Sequence, residues 1–146
     1  RALRPGLRSS VWSSNVGIPS NPVSRKLNTF KSHNLDEAVT LAQGEQEGVW
    51  NGKTHPEYAN MVGPFGGITV AQGLQAVMQD ARRQGDPITM TLNYLAPMVE
   101  GDFKIVTKLK QNNRNTQHWA VDILQGEKCV AHALLMFGSR KETFGA

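Results

Sequence analysis

The residues best suited to chemistry in this chain are the glycines of Gly63-Pro64-Phe65-Gly66-Gly67 and the apolar segment that follows, Ile68 to about Arg83. Pro64 fixes its own φ. Gly66 and Gly67 reach backbone angles closed to other residues and let a second molecule approach the main chain. Val70, Leu74, Val77 and Ala81 recur at i, i+4, i+7 and i+11, one stripe of a 3.6-residue period. Ile68, Ala71 and Met78 widen that stripe, which predicts a mostly buried helix. Its first turn would carry unpaired N–H groups and the positive end of the helix dipole. A Gly-Gly lead-in to such a helix can hold an anion or a developing oxyanion. The same glycines have a purely structural reading, a tight turn into a core helix, and both readings stand at this stage.

Other groupings offer less. His33, His55, His118 and His132 show no metal-ligand spacing, so no metal site is expected. Cys129 is the single cysteine, which excludes an intrachain disulfide and fits a reducing compartment. No apolar run approaches the roughly 20 residues of a membrane span. Lys104, Lys108 and Lys110 alternate like the wet side of a strand, so no nucleic-acid partner is expected.

The net charge of +4 over 146 residues comes from the head. Residues 1–35 hold six Lys and Arg and no acid, while the other 10 face all 12 acids. Residues 1–33 are rich in Ser, Asn, Pro, Gly and Arg without sustained period, which reads as a disordered or loosely attached arm. Arg and Ser without acid also resembles an organelle transit peptide. An extension of a cytoplasmic protein is the reading carried forward. Residues 34–146 suit one domain with a real core.

The elements that must position the glycines follow in order. Asn34 to Gln46 reads as a first strand, with Ala38, Thr40 and Ala42 on one face and Val39 and Leu41 on the other. Gly48 to Gly63 reads as a long loop carrying Trp50, His55, Tyr58, Asn60 and Met61. Gly85-Asp86-Pro87 stops the helix. Four strands follow: Ile88 to Tyr94, Phe103 to Lys110, Thr116 to Leu124, and Cys129 to Phe137. The last is almost continuously apolar, as expected of a central strand covered on both faces. The class is α+β.

At this point the local sequences become familiar. Trp50 with His55-Pro56-Glu57-Tyr58-Ala59-Asn60, then Gly63-Pro64-Phe65-Gly66-Gly67, Tyr94-Leu95-Ala96-Pro97, and Asn113-Arg114-Asn115-Thr116-Gln117-His118-Trp119 resemble acyl-CoA thioesterases of the acyl-CoA thioesterase II (TesB-like) type. The resemblance covers about Leu35 to Phe144 and fits the N-terminal repeat of those proteins. It implies a single hotdog fold, a curled antiparallel sheet wrapped around one central helix. Such proteins usually carry two hotdog repeats. This chain is therefore expected to be a fragment, or a homodimer-forming single hotdog.

The resemblance implies a thioester hydrolase acting on an acyl-CoA, with no cofactor. Thioester hydrolysis needs an activated water and a stabilised oxyanion. Gly66 and Gly67 would supply the oxyanion donors, while Asn93, Thr116, Gln117 and His118 would orient water or substrate. Asn60, Met61, Phe65 and Tyr94 would line the acyl chain, and Arg114 would meet a CoA phosphate. In TesB-like enzymes the catalytic Asp, hydroxyl residue and Gln lie in the C-terminal repeat. Their places fall here near Thr89, near Asn115 or Thr116, and near Leu135, so the chain keeps one of the three. His55 or Glu57 is the candidate replacement base, and Asp122 reads as a solvent-facing strand residue. The missing carboxylate leaves a non-catalytic acyl-CoA-binding or dimerisation module as the alternative.

Overall fold

The computed structural model describes residues 32–139. The expected arm lies outside the described residues, apart from Ser32 and His33. The segment expected to open with a strand opens with a helix, α1 (Asn34–Ala38). His33 caps it: its Nδ1 accepts from Leu35 N–H, and the Asp36 carboxylate accepts from His33 N–H. Asp36 and Glu37 place negative charge in the first turn, where the helix dipole favours it. What remains of the expected strand is β1 (Ala42–Gln43). The expected long loop holds a second strand, β2 (Val49–Lys53), and a 3-10 turn at Pro56–Tyr58.

The central helix α2 spans Gly66–Met78, ending five residues short of Arg83. Its buried face is Ile68, Thr69, Gln72, Gly73, Ala76 and Val77, while Val70 and Leu74 are half-buried and Ala81 is exposed. Its buried Gln72 is held: Nε2 donates to the Ala38 carbonyl at 2.8 Å and ties α1 to α2. The helix stops early because Asp80 takes over the chain. Its carboxylate accepts from Arg82 N–H at 3.0 Å and from Arg82 Nε at 2.8 Å, closing a side-chain turn where the helix would have continued.

Four long strands follow: β3 (Asp86–Tyr94), β4 (Asp102–Asn112), β5 (Thr116–Gln125) and β6 (Lys128–Gly138). The sheet is antiparallel and curled, in the order β1-β2-β4-β5-β6-β3. Its inner face packs Phe103, Ile105, Trp119, Val121, Ile123, Leu135 and Phe137 into one core with Ala76 and Val77 of α2. β6 lies inside the sheet, yet it is covered on one face only. The helix has a single inner face to fill, so Leu134 on the outer face is 55% exposed. No helix among the described residues is long and apolar enough to cross a membrane.

Candidate functional site

The two ends of α2 differ in kind. At its start the chain makes a tight turn. Asn60 Oδ1 accepts from Val62 N–H at 2.9 Å and Gly63 N–H at 3.1 Å, and Asn60 N–H donates to Gly63 O at 2.8 Å. Gly63 has φ +154, and a Cβ there would lie 2.2 Å from the Met98 carbonyl oxygen, so the position admits glycine alone. Phe65 N–H donates to Tyr58 O at 2.7 Å, and Ile68 N–H to Phe65 O at 3.0 Å. Phe65 is the N-cap and offers no side-chain bond. Gly66 and Gly67 N–H are left without an acceptor among the described residues.

A cavity of about 550 Å³ adjoins this helix start. The turn supplies Asn60, Val62, Gly63 and Pro64, the helix Gly66 and Thr69, the end of β3 and its loop Tyr94 to Met98, and β6 Val130 and Ala131. None of these is acidic, basic or a histidine. The volume is that of an ordinary small-ligand site, and the lining is apolar with a few polar atoms. Tyr94 Oη donates to the Gly66 carbonyl at 2.6 Å. Met61 and Phe65, next in sequence to lining residues, are 103% and 61% exposed.

The far end of α2 is closed. Asp80, 5% exposed, accepts from Arg82 and from Thr107 Oγ1 at 2.8 Å. Burial alone would push its carboxyl up; the bonds from Arg82 and Thr107 outweigh that and hold it below the usual carboxylate range. The Arg82 guanidinium lies 5.4 Å from the Trp119 ring centre. Sequence reasoning missed this cluster. Its local signal was an acid two residues before an arginine, just past a helix. Thr69, Val130 and Ala131 were also missed as cavity residues, because nothing in their types marks them.

The expected site residues divide between these ends. Gly66, Tyr94 and Asn60 line the cavity, while Gly67, Phe65 and Met61 adjoin lining residues in sequence but are not part of the lining themselves. Gln117 does not: it is 1% exposed, and its amide donates to Arg82 O at 2.9 Å and accepts from Gln84 N–H at 2.7 Å. It belongs to the closed end, with no atom left for a substrate. Thr116 and the exposed Arg114 and His118 sit at that same end. Asn93 pairs with His132 and faces outward, because Leu92 and Tyr94 on either side of it face the helix.

The replacement bases do not reach the cavity either. His55 Nδ1 accepts from Glu57 N–H at 3.3 Å, and Glu57 accepts from Asn34. Asp122 pairs with His132 Nδ1 at 2.6 Å and Lys108 Nζ at 3.3 Å on the outer face. Burial there opposes ionisation, but these two bonds win and its carboxyl is held low. Among the described residues, no three of His, Cys, Asp and Glu come together as a metal site.

An antiparallel sheet curled over one long helix, with an apolar cavity at the helix start, defines the hotdog class of domain. Residues 55–138 match the acyl-CoA thioesterase N-terminal domain family, and the chain belongs to it. Among solved structures, it is similar to a hotdog protein of unknown function from Alicyclobacillus acidocaldarius, with 36% identity and a TM-score of 0.74 over 80% of this chain and 43% of that one. An acyl-CoA thioesterase II from Mycobacterium marinum shares the fold at 12% identity and TM-score 0.64, over 78% of this chain and 41% of that one. The phenylacetic acid degradation protein PaaI from Thermus thermophilus shares it at 18% identity and TM-score 0.63, over 71% of this chain and 96% of that one. The chain thus spans less than half of the first two relatives. No curated protein matches it.

Proposed function

We propose that this domain binds the acyl group of an acyl-CoA in the 550 Å³ cavity and takes part in hydrolysing its thioester. One observation carries the reading: an apolar, uncharged cavity lies against a helix start whose Gly66 and Gly67 N–H groups are unpaired. A thioester carbonyl placed there would meet two backbone donors and the helix dipole as its oxygen gains charge. Wherever they sit, hydrolysis still needs a base, and the cavity lining holds none. The reading therefore takes the base from a second hotdog unit, a following repeat or another copy. The exposed outer edge of β3 supports that pairing, with Ile88 58% exposed. So do the apolar residues Met61, Val62, Phe65, Leu95 and Val99, each at least 59% exposed.

The missing base also favours a second reading, a non-catalytic acyl-CoA-binding or pairing module. Release of free CoA from a panel of acyl-CoAs, followed with a thiol reagent, separates the two. Turnover that disappears in a folded Gly67→Pro variant supports hydrolysis, because proline removes one of the two donors. Heat stabilisation by acyl-CoA without turnover favours the binding module. Neither turnover nor stabilisation on any chain length refutes both.

A further inference from the structure

We propose that Tyr94 is a positioning residue whose hydroxyl pins the peptide group between Gly66, which lines the cavity, and Gly67, and so fixes the direction of the Gly67 N–H at the helix start. The inference rests on the acyl-thioester reading above. It begins with the peptide plane. A trans peptide holds its C=O and N–H on opposite sides of one rigid group. Fixing the Gly66 oxygen therefore fixes the Gly67 N–H. Tyr94 Oη donates to that oxygen at 2.6 Å.

This peptide is one that needs fixing. It lies between two glycines, whose backbones rotate at little steric cost. It belongs to a first helical turn, where intrahelical bonds are fewest, and Phe65 adds no side-chain cap. The tyrosine is itself rooted in the sheet. Tyr94 pairs with Ala131 on β6, and the next two N–H groups, of Leu95 and Ala96, both donate to Val130 O, at 2.9 and 3.2 Å. The glycine at 66 is what admits the phenol, since a Cβ there would lie 2.8 Å from Oη. Tyr94 is 56% exposed, so burial is not its main contribution. A hydroxyl donating to the carbonyl also polarises the amide and strengthens its N–H as a donor.

Tyr94→Phe keeps the ring and the cavity wall and removes the pin. The expected result is a kcat on acyl-CoA about tenfold lower with KM unchanged, since the donor acts on charge that develops in the transition state. Gly66→Ala, which displaces the phenol, is expected to reproduce that split. A Tyr94→Phe protein with wild-type kcat overturns the proposal, whatever its melting temperature. Should the wild type turn over no acyl-CoA, the hydrolase reading falls and the pin is read directly by NMR. The probe is the 2-oxoheptyl thioether of CoA, a ketone analogue of the thioester. The Gly67 amide proton is expected to move downfield on saturation in the wild type and much less in Tyr94→Phe. Equal movement in both proteins overturns the pin.

Discussion

One helix joins two opposite solutions to the same problem. Every helix end leaves backbone groups unpaired. At the far end of α2, Gln79 N–H, Asp80 N–H and Arg83 Nε donate to the Gln75, Val77 and Met78 carbonyls. Just beyond them Asp80, Arg82, Thr107, Gln117 and Trp119 consume one another's hydrogen bonds, with Arg82 also reaching Glu47 at 3.7 Å. At the near end, glycines replace capping side chains and the first N–H groups stay open. Saturation makes a region stable and chemically idle. Open donors beside an uncharged cavity leave something for a ligand to complete. Three polar residues expected to act on substrate, Thr116, Gln117 and His118, belong to the idle end.

The sharpest way to break this contrast is Asp80→Ala. It takes the buried acceptor from Thr107 Oγ1 and from Arg82, leaving Arg82 with the Glu47 carboxylate, and losing these charge-assisted bonds costs about 3 kcal/mol of stability. Chemical denaturation measures it, and acyl-CoA affinity of the folded protein is expected to stay unchanged. Gln117→Ala comes next. It leaves Gln84 N–H and the Arg82 carbonyl unpaired, for a loss of about 2 kcal/mol by the same method.

Ala96→Phe tests the other end. Ala96 lines the cavity and is half-buried, so the larger ring occupies ligand space. Acyl-CoA affinity is expected to fall about tenfold, with stability changed by about 1 kcal/mol or less. An Asp80→Ala protein that loses acyl-CoA affinity while folded, or an Ala96→Phe protein that keeps it, would erase the distinction between the ends.

The smallest effect is the acid limb of stability. The folded Asp80 carboxyl titrates below its ordinary value of 3.8. Its stabilisation is therefore complete above that value and is lost as pH falls through the lower, folded one. Asp80→Asn is expected to flatten the stability profile below about pH 4, and an unchanged acid limb would remove Asp80 as its source.

The repeating parts of the fold were legible before the structure. The alternation in the last four strands depends on residues close in sequence and formed where expected. The helix began where expected, but it ended at Met78 rather than near Arg83. It buried Ile68, Thr69, Gln72, Gly73, Ala76 and Val77 in place of the expected stripe through Val70, Leu74 and Ala81. One error was local: Asn34 to Ala38 is poor in strand formers, and His33 and Asp36 cap a helix there. The others fall where distant partners decide. β2 lacks a strong period and exists because β4 pairs with it from Asp102 to Val106. The helix end was set by the Asp80–Arg82 turn, and that pair is held by Thr107 and Trp119, which only the folded sheet brings to it. The glycines that open the candidate site were visible, because their chemistry is local. Which polar side chains stood near them was not, because strand alternation and a helix length had to be known first.

The closed end also gives α2 the mechanics of a beam clamped on one side. A rod clamped along its tail and held at its tip by the single Tyr94 bond to Gly66 concentrates what motion it has toward the tip. Amide protons are then expected to exchange with solvent slowest from Ala76 to Met78 and progressively faster toward Gly66. A ligand seated at the tip would find the part of the rod that yields first, and would stiffen it by arriving.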